Sequence, residues 1–495
     1  MKKIGFDNAM YLQLQSRKIT ERIERFGGKL YLEFGGKLFD DYHASRVLPG
    51  FEPDSKVRML QQLRDEAEIV IVIHAGDIEE SKRRGDLGIT YDQEVLRLID
   101  AFRASGLTVG SVVVTLYRNQ EAADRFIKRL DALGVKTYKH YPIEDYPANI
   151  QLVLSEDGFG RNDYVETNRR LVVVTGPGGG SGKMAVCLSQ LYHEQRRGHA
   201  AGYAKYETFP VWSLPLRHPV NLAYEASTAD LKDVIMIDPY HLEAHGETAV
   251  NYNRDMEVFP VLRVIFERIM GTSPYQSPTD MGVNMISFCV TDDEAVCEAS
   301  KQEIIRRYYE ALCERRQGFG EQDAVNKLEL LMRQVSVTAE RRPVVGAALT
   351  RAEETDGPAV AIELPDGQIV TGKTTPLLGA SSAALLNALK ALGHIPKRMR
   401  LISPNIIKPI QHLKINHMGN RNPRLHTDEV LIALTISAAS NNPSAELAME
   451  QLEHLRDCEA HSTVLLSRVD QNTFRNLGVN LTCEARYETK QLYHG

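Results

Sequence analysis

A glycine-rich turn between an apolar run and a predicted helix carries the strongest chemical signal in the chain. The segment LVVVTGPGGGSGK spans residues 171–183, and residues 184–197 are predicted to be helical. Glycines let backbone N–H groups approach an anion without Cβ collisions, the helix N-terminus adds partial positive charge, and a lysine adds a full one. We therefore expect phosphate to bind at the following residues: Gly176, Gly178, Gly179, Gly180, Ser181, Gly182 and Lys183.

This turn departs from the Walker A pattern in two places. The pattern places four residues between its glycines and a Ser or Thr directly after its lysine. Here five residues separate Gly176 from Gly182, and Met184 occupies the position of the metal-binding hydroxyl. Phosphate binding of another kind is therefore more strongly indicated than a metal-dependent NTPase. A glycine-rich strand-to-helix turn that binds nothing is the alternative.

A second candidate site lies in the segment LKDVIMIDPYHLEAHG, residues 231–246, where four apolar residues lead to Asp238. A carboxylate at the tip of such a strand resembles the Walker B aspartate that holds magnesium, so Asp238 joins Lys183 as a candidate catalytic residue. His241 and His245 share a face if the segment is helical, and they could bind a divalent metal with Asp238 or Asp255 as the carboxylate ligand. Ordinary surface or substrate-contacting histidines are the alternative.

Two further stretches combine groups that suit ligand binding. Residues 272–284, TSPYQSPTDMGVN, concentrate hydroxyl groups and the carboxylate of Asp280 in a turn-rich segment, although proline-rich connectors have a similar composition. Residues 412–426, HLKINHMGNRNPRLH, bring imidazole and guanidinium groups together. Such a cluster suits an anionic substrate better than a metal, and a solvated basic loop is the alternative.

The elements that must position these groups are predicted from apolar periodicity. Strands are expected at 29–36, 68–76, 111–117, 135–141 and 171–175, with amphipathic helices between them. This alternation indicates an α/β fold with a mainly parallel, doubly wound sheet that is covered on both faces.

Parallel sheets of this kind bind ligands at the carboxyl ends of their strands. The first predicted strand is followed by Lys37, Asp41, His43 and Arg46. We expect this segment to hold a second substrate if the sheet brings it beside the glycine turn. Asp41 and His43 are accordingly the other candidate catalytic residues.

The domain organisation follows from the same patterns and from two polar connectors near residues 337–357. We predict an N-terminal α/β domain over residues 1–320, which could contain two subdomains, then a helical linker over 321–357. A C-terminal α/β domain is predicted over 358–495, opening with a hairpin around the turn Pro365-Asp366-Gly367.

Composition limits the classes of partner and compartment. The chain has 495 residues, 25% of them charged, and a net charge of -6, so no overall basic field attracts nucleic acid or anionic membranes, and neither is expected as a partner. Its six cysteines lie far apart without a CxxC pair, which is typical of a reduced cytosolic protein. The sequence shows neither a secretory h-region nor a long uncharged apolar run, and a cytoplasmic location is expected.

Several motifs together resemble the uncharacterised protein family 0371, a group of bacterial proteins of about this length. The matching segments are KLYLEFGGKLFDDYHASRVLPGF (29–51), RGDLGITYD (84–92), VVTGPGGGSGK (173–183), DPYHLEAHG (238–246), SPTDMGVN (277–284) and KTTPLLGASSAALLNALK (373–390). The resemblance implies a multi-domain α/β protein with a C-terminal α/β sandwich that assembles as a homo-oligomer. Some members carry the label ATP-dependent zinc protease, but this chain has neither HExxH nor an intact Walker pair.

Three functions are compatible with these features. The first is an enzyme that binds ATP, another nucleotide or a phosphorylated small molecule at the glycine turn and performs phosphoryl transfer or hydrolysis. The second is a metal-dependent hydrolase centred on His241, His245 and Asp238. The third is a nucleotide-sensing oligomer without catalytic activity.

Overall fold

The computed structural model describes residues 3–84, 88–207, 209–231 and 233–489, which form two compact units. The first unit comprises Ile4–Glu225 and Asp233–Ala299, and the second is built mainly from the chain after Ser300. The motif RGDLGITYD lies partly outside the described residues, at 85–87. In the described part of the chain, we find no helix that combines the length and the apolar character needed to cross a bilayer.

Nine strands of the described residues belong to the first unit. They are β1 (Leu30–Phe34), β2 (Ala67–His74), β3 (Thr108–Thr115), β4 (Lys136–Lys139), β5 (Leu171–Thr175), β6 (Gly202–Tyr206), β7 (Ile235–Ile237), β8 (Val250–Tyr252) and β9 (Gly282–Val283). Seven of them form one parallel sheet in the order β4-β3-β2-β5-β1-β6-β9, and β7 pairs with β8 in a separate antiparallel ribbon. The predicted doubly wound parallel sheet is thus confirmed.

The central strands are continuous apolar runs because both faces of the sheet are covered. Every residue of β1 and β5 is buried, and in β2 only the terminal His74 is partly exposed. Burying one Val or Ile side chain contributes about 1.5–3 kcal/mol relative to leaving it in water, so these strands account for much of the stability of this unit.

Helices connect and cover these strands. Those that lie in or begin in the first unit are α1 (Asn8–Arg25), α2 (Tyr42–Val47), α3 (Ser55–Gln62), α4 (Ala75–Glu79), α5 (Tyr91–Ala104), α6 (Glu121–Ala132), α7 (Ile150–Val153), α8 (Lys183–Arg196), α9 (Pro219–Ser227), α10 (Pro239–His245), α11 (Asn253–Met270), α12 (Pro278–Met281) and α13 (Asp293–Gln317). Capping residues fix several starts; the Asp7 side chain, for example, accepts the Met10 amide at the beginning of α1.

The second unit is also α/β, as predicted for the C-terminal part of the chain. Its remaining helices are α14 (Gln322–Gln334), α15 (Pro343–Thr355), α16 (Ala380–Leu392), α17 (Pro404–Asn416), α18 (Thr427–Ala439), α19 (Pro443–Met449) and α20 (Arg468–Asn476). The strands β10 (Ala359–Glu363), β11 (Ile369–Lys373), β12 (Glu459–Ser462) and β13 (Asn480–Cys483) form a mixed sheet in the order β11-β10-β12-β13.

Side chains alternate across β10 and explain why helices cover both faces of this mixed sheet. Val360 and Ile362 belong to the large apolar cluster that contains α16 and α18, whereas Ala361 packs with Val344 and Ala348 of α15. The segment 321–357 contains α14 and α15, and α15 is part of this core. The domain boundaries at 320 and 358 stay predictions.

Candidate functional site

The glycine turn, Gly176–Gly182, lies at the carboxyl edge of the parallel sheet, directly after β5 and directly before α8. It contacts the ends of two other strands. The Gly176 Cα approaches β2 so closely that an added Cβ would lie 2.4 Å from the Val72 carbonyl oxygen. The Thr115 hydroxyl at the end of β3 donates to the Ser181 carbonyl at 2.7 Å. Three strand ends therefore meet at the turn.

Sheet order makes this position a topological switch point. The chain leaves β2 towards β3 and leaves β5 towards β6, and these strands lie on opposite sides of the β2–β5 pair. Since parallel crossovers are right-handed, the two connections cover opposite faces of the sheet. Ligand crevices in open α/β sheets form where neighbouring connections separate in this way.

Glycine is required at several positions of the turn for distinct reasons. Gly180 and Gly182 have φ angles of +74° and +90°, which L side chains adopt only with strain. A Cβ at Gly178 would lie 2.4 Å from the Tyr91 hydroxyl. At Gly179 a Cβ would meet no atom of the described residues within 4 Å, so the tip of the turn faces open space.

Lys183 is the first residue of α8, and its side chain folds back over the turn. Its Nζ donates to the Gly178 carbonyl at 3.2 Å and lies 3.4 Å from the Ser181 hydroxyl. Burial lowers the pKa of this ammonium, while the carboxylates of Glu33 and Glu207 oppose the shift. The N-cap residue of α8 is Gly182, which has no side chain that could accept a hydrogen bond from the first turn of the helix. A cation and uncapped helix amides therefore lie side by side.

A buried charge cluster follows β6 on the other side of β1. The Lys205 ammonium lies 2.6 Å from an Asp255 oxygen and 3.0 Å from a Glu207 oxygen. Burial opposes the charge on Lys205, but Asp255 and Glu207 outweigh it and raise the pKa of the amine. Burial raises the pKa of Glu207 to about 7 although Lys205 opposes the shift. The pKa of Glu207 is thus held near neutrality by its burial.

After the first strand, Asp41 is the N-cap residue of α2 and His43 lies within this helix. The Asp41 carboxylate accepts the Ala44 amide at 3.2 Å and lies 2.7 Å from the ammonium of Lys56, which is only 2% exposed. Burial works against ionisation of Asp41, yet Lys56 holds its pKa below the ordinary range. The His43 ring contacts two aromatic rings: its centre lies 5.6 Å from the centre of the Phe209 ring and 5.5 Å from that of the Tyr224 ring. None of these named contacts involves the glycine turn.

Asp238 does not occupy a Walker B position. Its strand, β7, has three residues and pairs with β8 instead of entering the parallel sheet. Asp238 is fully buried and caps α10: one carboxylate oxygen accepts the Tyr240 amide at 3.0 Å, and the other accepts the Thr279 hydroxyl at 2.7 Å. Hydrogen bonds within the protein thus account for both oxygens of this carboxylate.

The two histidines of α10 meet a different carboxylate, that of Asp280. The His245 Nε2 lies 3.0 Å from an Asp280 oxygen, and the His241 Nδ1 lies 3.7 Å from the same oxygen. Ligand atoms of these three residues all lie within 4.8 Å of one another. The grouping of His241 and His245 was predicted, but Asp280 replaces Asp238 as the third member.

The structure also explains why Asp280 is ionised there. Burial opposes its charge, but the Gln276 amide and the His245 ring hold its pKa below the ordinary value. The Ser277 hydroxyl accepts the Asp280 amide and lies 2.9 Å from the His241 Nδ1. The Ser-x-x-Asp spacing at 277–280 is a capping box, which is the sequence signal that places Asp280 at the start of α12.

The basic stretch 412–426 is occupied by structural contacts in the second unit. Lys414 lies 2.7 Å from Glu429, and the His426 Nδ1 lies 3.0 Å from an Asp470 oxygen. The Asp470 hydrogen bond raises the pKa of His426, whose backbone and side chain also cap α18. These residues therefore hold α17, α18 and α20 together.

Fold and site together define an α/β protein with a glycine turn at the carboxyl edge of a central parallel strand. Family models described as "Domain of unknown function DUF1846", N-terminal and C-terminal, match residues 4–336 and 340–493. A UPF0371 protein from Streptococcus equi subsp. zooepidemicus (strain H70) is 58% identical over 100% of this chain and 98% of that protein. One from Streptococcus pneumoniae (strain Hungary19A-6) is 57% identical over 100% of both. The chain belongs to the UPF0371 family, which confirms the resemblance seen in its motifs.

Proposed function

We propose that the protein binds a phosphorylated small molecule, with nucleotides as the principal class, at Gly176–Lys183. The observation that carries this proposal is the open tip of the turn, at Gly179, beside a 14-residue helix whose N-cap residue is a glycine without a capping side chain. Uncapped N-terminal amides and the helix dipole attract anions, and the switch-point position provides the crevice.

Lys183 supplies the full charge at this site. In the structure its amine donates to the Gly178 carbonyl, which is a neutral acceptor. A phosphate oxygen is a stronger acceptor for a partly desolvated ammonium, because charge-assisted hydrogen bonds are about twice as strong as neutral ones. Binding of an anion would also oppose the lowered pKa of this lysine.

Catalysis is the second part of the proposal. Glu207 has the pKa of a general base near pH 7 and lies beside Lys205 at the same sheet edge. Phosphoryl transfer and hydrolysis both need such a group to activate an oxygen nucleophile, and Asp41 and His43 are candidates for contacts to a second substrate. A cytoplasmic location and a homo-oligomer are the expected setting of this activity.

Isothermal titration of the full chain with ATP, GTP and sugar phosphates tests the binding step. We expect at least one of these ligands to bind, and Lys183→Ala to weaken it about 10-fold or more, since a charge-assisted hydrogen bond contributes about 1.5–3 kcal/mol. Lys128→Ala is the matched control, because Lys128 is exposed on α6 and should leave affinity unchanged. If neither wild type nor variant binds any of the ligands, the proposal is wrong.

A second candidate function is a metal-dependent hydrolase centred on His241, His245 and Asp280. It is favoured by the convergence of two imidazoles and one carboxylate within 4.8 Å, a donor set that suits zinc or manganese.

Elemental analysis of protein purified without chelators tests this site. We expect stoichiometric metal in the wild type and its loss in His241→Ala. The exposed His454 provides the control, since His454→Ala should retain the metal. Wild-type protein that stays metal-free after incubation with zinc or manganese would rule out this candidate.

A further inference from the structure

A second concave region lies on the same sheet edge as the glycine turn. It is a cavity of about 570 Å³ at the carboxyl ends of β3 and β4, within the ordinary size range of small-molecule sites. Tyr117 and Arg118 line it from the end of β3, and Tyr141 and Glu144 line it from the end of β4. Arg161 completes the lining from the short 3-10 helix Phe159–Arg161.

The end of β3 links the cavity to the glycine turn, because neighbouring residues there contact both. Thr115, the last residue of β3, donates its hydroxyl to the Ser181 carbonyl and also touches Gly182, where an added Cβ would lie 3.2 Å from its side chain. Tyr117 follows two residues later and lines the cavity. Two residues span at most about 7 Å, and Leu116 between them has a positive φ of +50° that bends the chain. Thr115 and Tyr117 are therefore no farther apart than roughly the length of a sugar ring.

The lining has the chemistry of a site for a planar, nitrogen-rich ring. The Arg161 guanidinium lies over the Tyr141 ring, 4.5 Å from its centre, and Arg161 is exposed. An ordered, flat guanidinium is a stacking surface for nucleobases. Glu144, also exposed, offers a carboxylate that accepts hydrogen bonds from an exocyclic amino group.

We propose that this cavity holds the base of a nucleotide whose phosphates lie on the glycine turn. This inference rests on the proposed function, since it assigns a second part of the same ligand. It makes nucleotides preferred over sugar phosphates of equal charge, because only nucleotides fill both regions. Arg161 then acts as a specificity-determining residue that contacts the base, and Lys183 as the residue that contacts phosphate.

Titration of the full chain with ATP and with inorganic tripolyphosphate tests the assignment. We expect wild type to bind ATP about 10-fold or more tightly than tripolyphosphate, since base stacking contributes about that much to affinity. Arg161→Ala should remove this preference and leave tripolyphosphate binding unchanged, which also shows that the variant is folded. Arg129→Ala, at an exposed arginine of α6, should keep the preference.

Each other outcome overturns the inference in a recognisable way. Equal affinity of wild type for ATP and tripolyphosphate would show that the base makes no contact, while the glycine turn would still bind phosphate. An equal loss of both affinities in Arg161→Ala would assign the cavity to phosphate instead of a base. Binding of neither ligand by the wild type would contradict the proposed function itself.

Discussion

Lys205→Met lowers the free energy of unfolding by about 3–5 kcal/mol, because removing one partner of a buried ion pair leaves the charge of the other partner uncompensated. Lys205 is 9% exposed, and its ammonium neutralises the carboxylates of Asp255 and Glu207, at 2.6 and 3.0 Å. The substitution keeps the length of the side chain but leaves the buried carboxylate of Asp255 without its nearest cation. Urea unfolding at pH 7, followed by circular dichroism, measures the difference.

The same substitution at Lys136 is the control. Lys136 begins β4 and forms a 3.4 Å pair with Glu166 in which both side chains are largely exposed. An exposed pair contributes about 0–1 kcal/mol, so Lys136→Met should change stability little. Equal losses at the two positions would show that the Lys205 cluster is solvated. Adding Asp255→Asn to Lys205→Met should recover part of the loss, because it removes the uncompensated charge.

Glu207→Gln makes the stability less dependent on pH. The folded-state pKa of about 7 lies above the ordinary value of about 4.3, so between these values the folded chain binds a proton that the unfolded chain has lost. The contribution of this group is therefore present at low pH and declines as pH rises through 7. Between pH 5 and pH 8 the wild type should lose about 2–3 kcal/mol more than Glu207→Gln, as measured by urea unfolding at both values.

Glu247→Gln controls for general effects of charge, because Glu247 is exposed on the loop after α10. This variant should keep the pH dependence of the wild type. A Glu207→Gln variant with an unchanged pH dependence would show that Glu207 titrates normally, and it would remove this residue as a candidate general base. The groups that set its titration are Lys205, Asp255 and Arg254.

The sequence was sufficient to predict the parallel sheet and the position of the glycine turn. Strands β2 and β5 contain uninterrupted runs of Val and Ile. A run of this kind that is followed by glycine and then by a helix is typical of a buried parallel strand. The start of α1 also depends on a local signal, because the Asp7 side chain caps the helix that begins at Asn8.

The charge cluster and the third member of the histidine group could not be predicted. Lys205 lies on β6 and Asp255 lies on α11, and only the tertiary fold brings these two elements into contact. No local sequence pattern encodes that arrangement. Asp280 is 35 residues from His245 in sequence, and only the tertiary fold brings the two side chains together. The energies of strand pairing across the whole fold decide which sheet a short apolar strand joins. In this protein β7 pairs with β8 and not with the parallel sheet.

The place of β5 in the sheet has a consequence for the order of folding. Leu171 of β5 pairs with both Leu30 of β1 and Ala67 of β2, so in the described sheet β5 is the strand that joins β1, β6 and β9 to β2, β3 and β4. On a ribosome, β1 to β4 are synthesised before β5, and the centre of the sheet stays open until then. Such long-range pairing is entropically costly and therefore slow. The glycine turn is consequently completed by the same event that closes the sheet, and a half-made chain has no anion site.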